Sequence, residues 1–106
     1  MRNAIRHSVS IAVTAGTVID ERRMIITDLS ASGARLEGQA FPEGSRIQVQ
    51  VGGDTAFAIV RWSEIDRMGV EFTAPLPDAL KRYLPAGVFN GVNNGRPRTF
   101  GRRLAA

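Results

Sequence analysis

Residues 46–72 read RIQVQVGGDTAFAIVRWSEIDRMGVEF, and this stretch decides the fold. Ile47, Val49 and Val51 alternate with polar residues, which is the period of a strand with one buried face. Gly52-Gly53-Asp54 comes next, and two glycines between alternating runs mark a tight hairpin. Residues 55–63 alternate again, with Ala56, Ala58, Val60 and Trp62 on one face and Phe57 and Ile59 on the other. After a short polar turn, residues 67–72 place Met68, Val70 and Phe72 on one face. The stretch thus reads as three short strands, the first two joined by a tight hairpin.

The same pattern extends toward the N-terminus. Residues 8–14 alternate through Val9, Ile11 and Val13, and Ala15-Gly16 reads as a turn. Residues 23–29 are rich in β-branched side chains, residues 34–37 form a short strand, and Phe41-Pro42-Glu43-Gly44-Ser45 is a turn by its Pro and Gly. About six short strands at close spacing predict an all-β domain, a small antiparallel barrel or sandwich. Beyond Pro75 and Pro77, residues 78–84 predict one short helix whose Leu80 and Leu84 pack on the barrel, and Pro85-Ala86-Gly87 stops it. Residues 88–106 combine glycine, asparagine and four arginines with few apolar side chains, and read as a flexible tail.

The 106 residues suit one compact domain, and a hydrophobic content of 43% with 23% charged residues is ordinary for a soluble protein. No apolar run approaches the roughly 18 residues of a membrane helix, and no signal peptide is evident, so a cytoplasmic location without membrane insertion is expected. With no cysteine and a lone His7, neither a disulfide nor a metal centre is expected. The net charge of +4 looks like a nucleic-acid signal, but its location argues otherwise. Residues 1–87 carry ten basic and ten acidic side chains, and the surplus is Arg96, Arg98, Arg102 and Arg103 in the tail. A nucleic-acid site would interleave aromatics with its basic residues, and only Phe100 does so here. Enzymatic chemistry has little to work with: there is no cysteine nucleophile, no G-x-S-x-G and no phosphate-binding loop of the P-loop type. The one carboxylate pair, Asp20-Glu21, adjoins Arg22-Arg23 in an expected hairpin turn and reads as a solvated charge cluster.

Two short motifs remain. Asp28-Leu29-Ser30-Ala31-Ser32-Gly33 reads D-x-S-x-x-G, and Arg2 and Arg6 read R-x-x-x-R just ahead of the first strand. Taken alone, D-x-S-x-x-G is also what a strand-connecting Asx or Ser turn would use, and R-x-x-x-R recurs at Arg98 and Arg102, where it is read as chance. Together and in this order, the two motifs resemble the PilZ domain, a bacterial receptor for cyclic di-GMP. The pair Ile59-Val60-Arg61-Trp62 and Gly69-Val70-Glu71-Phe72 is similar to the V-x-W and G-V-x-F strands of that family. The resemblance covers roughly residues 2–84. It implies a PilZ-like six-stranded barrel over residues 8–87, an N-terminal ligand-binding arm over residues 1–7, and a tail outside the family pattern.

The ligand implied by the resemblance carries two phosphates and two guanines. Arg2 and Arg6 present guanidinium forks that grip a phosphate or the O6/N7 edge of guanine. An extended arm would hold them roughly 13 Å apart and pointing the same way. Asp28, an acceptor only, suits the N–H donors of the guanine edge, and Ser30 can donate to a phosphate or base acceptor. Gly33 is expected at a positive-φ turn or where the backbone approaches the ligand. Arg35 is a lesser candidate for a phosphate contact, with a plain strand-surface arginine as the other reading. Trp62 shares a face with Val60 and is expected in the core, although it could edge the ligand surface. Arg61, beside it, is a lesser candidate as well. The function implied is a receptor, not an enzyme, that binds cyclic di-GMP without other cofactors and relays the signal to an unidentified downstream protein, with an output on motility, biofilm matrix or another surface behaviour. The alternative is a PilZ-fold adaptor that works through protein contacts and binds no nucleotide.

Overall fold

Six strands and one helical turn were found in the computed structural model, which describes residues 6–85. In chain order they are β1 (His7–Gly16), β2 (Glu21–Leu29), β3 (Gly33–Glu37), β4 (Arg46–Val51), β5 (Asp54–Ser63), β6 (Arg67–Phe72) and α1 (Asp78–Lys81). All neighbours are antiparallel, and the sheet closes as a barrel in the order β1-β2-β3-β6-β5-β4. The alternation leaves a barrel or a sandwich open, and the barrel that the PilZ resemblance implies is the one present. The expected tail, residues 88–106, lies outside the described residues.

The inward face of each strand supplies one continuous core. Ile26, Leu29, Leu36, Val49 and Met68 are fully enclosed. Alternation places them there because successive side chains of a strand leave opposite faces of the sheet. The Gly52-Gly53 turn joins β4 to β5 with φ of 58° and 90°, the doubly left-handed pair of a type I′ hairpin. At the other end of β1 the turn lies later than expected. Ala15 and Gly16 pair with Arg22 and Glu21, and the chain reverses over residues 17–20, closed by the Thr17 amide on the Asp20 carbonyl at 2.8 Å. Ala15 is wholly buried, and its burial in the core keeps the strand going. The Asp20–Arg22 cluster does ion-pair, at 2.7 Å. Arg22 also donates to the carbonyl of Ala40 and lies over the Phe41 ring, 4.2 Å from its centroid, so it clamps the β3–β4 loop as well.

The helix is shorter than the 78–84 expected. Only Asp78–Lys81 is regular, because Pro77 begins it and Pro85 forbids a second full turn. The last residues tighten into three-residue turns, Tyr83 to Leu80 and Leu84 to Lys81. The hydrophobic expectation holds: Leu80 is 0% and Leu84 7% exposed, both against the barrel core. Asp54, at the start of β5, accepts the Ala79 amide at 3.1 Å and ties the helical turn to the β4–β5 hairpin.

Candidate functional site

Three register breaks interrupt the strands, and they cluster. β1 and β2 slip between Ser8 and Ile11, β2 and β3 slip at Thr27, and β5 and β6 slip at Arg61. A bulge adds one residue to one strand and so moves everything after it to the other face. Asp28 has the parity of the buried Met24 and Ile26, and Trp62 has the parity of the buried Val60. The bulges at Thr27 and Arg61 turn both outward. They thereby join one lateral row on the barrel exterior: Ser8 opposite Asp28, Asp28 opposite Arg35, Arg35 opposite Gly69, Gly69 opposite Trp62. The expectation that Trp62 lies in the core is thus corrected. Simple alternation puts it inside, and one extra residue in β5 brings it out to a partly exposed position.

The D-x-S-x-x-G segment closes the β2–β3 connection around Ser30. The Ser30 hydroxyl accepts the amides of Gly33 at 3.1 Å and Ser32 at 3.3 Å, and donates to the Gly33 carbonyl at 3.2 Å. The Ser30 amide reaches the same carbonyl at 2.9 Å. Among the described residues, Ser30 is the one buried polar side chain, at 4% exposure. A serine turns the chain here because its short hydroxyl satisfies amides that a strand ladder cannot reach. Gly33 is not at a positive φ, in contrast to the expected turn geometry. A Cβ there would stand 2.6 Å from the Val70 carbonyl, so the glycine permits close approach to β6. Asp28 and Arg35 form an ion pair at 3.2 Å, and Arg35 Nε also donates to Thr27 Oγ1 at 3.2 Å. Thr27, the bulged residue, is thereby held by the arginine that holds Asp28.

Beside this loop lies a cavity of about 380 Å³ lined by Arg6, Ser30, Ser32, Gly33, Ala34, Arg61, Trp62, Gly69, Val70 and Glu71. It unites five of the residues considered for a site: Arg6, Ser30, Gly33, Arg61 and Trp62. Asp28 and Arg35 are not in its lining; they occupy the next positions of the same outer row. Arg2 lies outside the described residues. Ser32, Gly69 and Glu71 join the lining without having been singled out by the motifs, although Gly69 and Glu71 stand within the G-V-x-F strand whose pattern is visible in the sequence. Arg61 donates to Glu71 at 2.6 Å within the lining, leaving Arg6 as the lining cation with no carboxylate partner among the described residues. A larger groove of about 750 Å³ runs over β1, β2, the end of β3 and the end of β4, past Thr14, Arg23, Ile25, Glu37 and Gln50. It contains none of the motif residues, and size alone does not make it the site. No group of three or more His, Cys, Asp or Glu among the described residues could hold a metal ion. No helix among them is long and apolar enough to cross a membrane.

Comparison with known proteins agrees with the fold. The PilZ domain family matches residues 1–90, and the chain belongs to that family. It is a PilZ-fold protein of the cyclic di-GMP receptor family. Among curated proteins none matches the sequence. Ten chains of solved structures match, and one of them is the Bacillus subtilis inhibitor of motility MotI/DgrA, with a TM-score of 0.58 and 18% identity. The match covers 77% of this chain and 46% of that one, so this chain spans less than half the length of its structural relative. At that identity the likeness is one of fold.

Proposed function

We propose that this chain is a receptor for cyclic di-GMP, bound between the N-terminal arm and the outer face of the barrel at the β2–β3 loop. The observation that carries the reading is the convergence of Arg6, the Ser30–Gly33 loop and Trp62 on one cavity, in a chain of a family that includes such receptors. Arg6 would neutralise a phosphate or read a guanine edge, and Arg2 would add the second fork. Asp28 would accept N–H bonds from guanine once Arg35 shares it. Ser30 contributes first by shaping the loop, and Gly33 by letting that loop lie against β6. Arg35 would meet a phosphate that replaces Asp28 as its partner. Binding needs no metal or other cofactor, and the protein performs no catalysis. The signal passes to a downstream protein, and the relative that is an inhibitor of motility makes movement one candidate output. A cytoplasmic site of action fits a messenger made inside the cell.

One observation favours the adaptor reading instead: Asp28 and Ser30 already have partners within the protein. Calorimetric titration of cyclic di-GMP into the wild type and Arg6→Ala, with GTP as control, separates the two. Saturable binding of the dinucleotide, absent with GTP and lost in Arg6→Ala, is the expected result. A folded wild type that takes up no ligand would leave the adaptor.

A further inference from the structure

Trp62 is the chain's one tryptophan, and its indole occupies the place where any residue but glycine at position 69 would put a side chain. A Cβ on Gly69 would stand 2.0 Å from Trp62 Nε1, 2.4 Å from Cε2 and 2.8 Å from Cδ1. Gly69 and Trp62 are cross-strand partners, brought opposite each other by the bulge at Arg61. The Nε1 edge of the ring therefore packs on the bare backbone of β6. The side chain remains partly exposed and forms a wall of the cavity that Arg6, Ser30 and Gly33 also line. An indole is rigid and turns about only two torsions, so a methyl group at position 69 must swing the whole ring away. Without the bulge this large apolar side chain would share the buried face of Val60, where its burial would be more favourable. The strand instead holds it at the cavity, and a flat aromatic wall is what a nucleobase stacks on.

We propose that Gly69 is a positioning residue that seats Trp62 as the base-stacking wall of the cavity. This rests on the receptor reading above. The test compares the wild type with Gly69→Ala, Trp62→Ala, Trp62→Phe and the double alanine variant, by calorimetric titration of cyclic di-GMP. Tryptophan emission of the wild type and Gly69→Ala is recorded in parallel. Trp62→Ala is expected to weaken binding by about tenfold or more, and Trp62→Phe by less. Gly69→Ala is expected to shift the emission and to lose a similar factor. The double variant is expected to bind no worse than Trp62→Ala, because no ring is left to misplace. Wild-type affinity in Trp62→Ala, or in a Gly69→Ala protein with shifted emission, would overturn the proposal. So would losses that multiply in the double variant. If Gly69→Ala does not fold, the double variant, freed of the clash, must fold and match Trp62→Ala; failure to do so counts against the proposal. A wild type that binds nothing removes the receptor reading and this inference with it, whereas a wild type that binds while Trp62→Ala is unaffected removes only the inference.

Discussion

Ser30 directs its hydroxyl into its own loop, where it holds two amides and one carbonyl. Ser30→Ala leaves those part-buried amides without their acceptor and is expected to cost about 1 kcal/mol, read as a lower urea midpoint at unchanged slope. An unchanged midpoint would mean that water replaces the hydroxyl. Gly33→Ala drives a methyl against a backbone carbonyl 2.6 Å away, and neither partner is a flexible side-chain end. Its expected destabilisation is about 1–3 kcal/mol, visible in the same experiment. Arg35→Ala should differ from both. Its ion pair with Asp28 is partly exposed, and such pairs contribute about 0–1 kcal/mol. A stability nearly equal to wild type is expected, and a large loss would show that the arginine holds the Thr27 bulge in place. These residues show why motif spelling conveys identity better than role. D-x-S-x-x-G is legible as a loop and as a site, but the inward hydrogen bonding of Ser30 and the strand-packing duty of Gly33 depend on β6, which lies far along the chain.

The strands themselves are readable because alternation is local. β4, β5 and β6 have the inward faces that their spacing predicts up to the bulge, and Gly52-Gly53 makes the hairpin it spells. Gly53→Ala, at φ 90°, is expected to destabilise by about 1 kcal/mol or more, while Gly52→Asn, at φ 58°, should be nearly neutral because asparagine tolerates the left-handed region. Thermal melts of the two variants give the comparison, and equal losses would contradict it. What alternation cannot show is a bulge. Thr27 and Arg61 carry no residue signal that marks them as extra, and each inverts the face of the residues beyond it. Asp28 and Trp62 thus bear the parity of the core and the position of the surface. The helix fares differently: its apolar face is legible from Leu80 and Leu84, while its length is set by two prolines whose joint effect the spacing of leucines does not register.

At the scale of the whole molecule, the order β1-β2-β3-β6-β5-β4 rests on two pairings between strands distant in sequence, β3 with β6 and β1 with β4. Periodicity does not specify either; only likeness to a known family does. The closures are unequal. β3 and β6 pair over five positions, whereas β1 meets β4 only at Thr14, Ala15 and Gly16. Amide hydrogen exchange should therefore find the β1–β4 seam opening before the β3–β6 seam, and the reverse order would mean that core contacts of Ala15 and Val49 outweigh the short ladder.

The outer row from Ser8 through Asp28, Arg35 and Gly69 to Trp62 also has a history in time. Ser8, Asp28 and Arg35 come into line as successive hairpins zip, each strand meeting its neighbour in sequence. Trp62 and Gly69 meet across a hairpin of their own. The halves join only when β6 docks on β3, a closure between distant segments that is slow to find. A partly folded chain thus owns a serine loop and an ion pair on one side and an aromatic plate on the other, with no cleft between them. Ligand occupancy would attest that folding has finished.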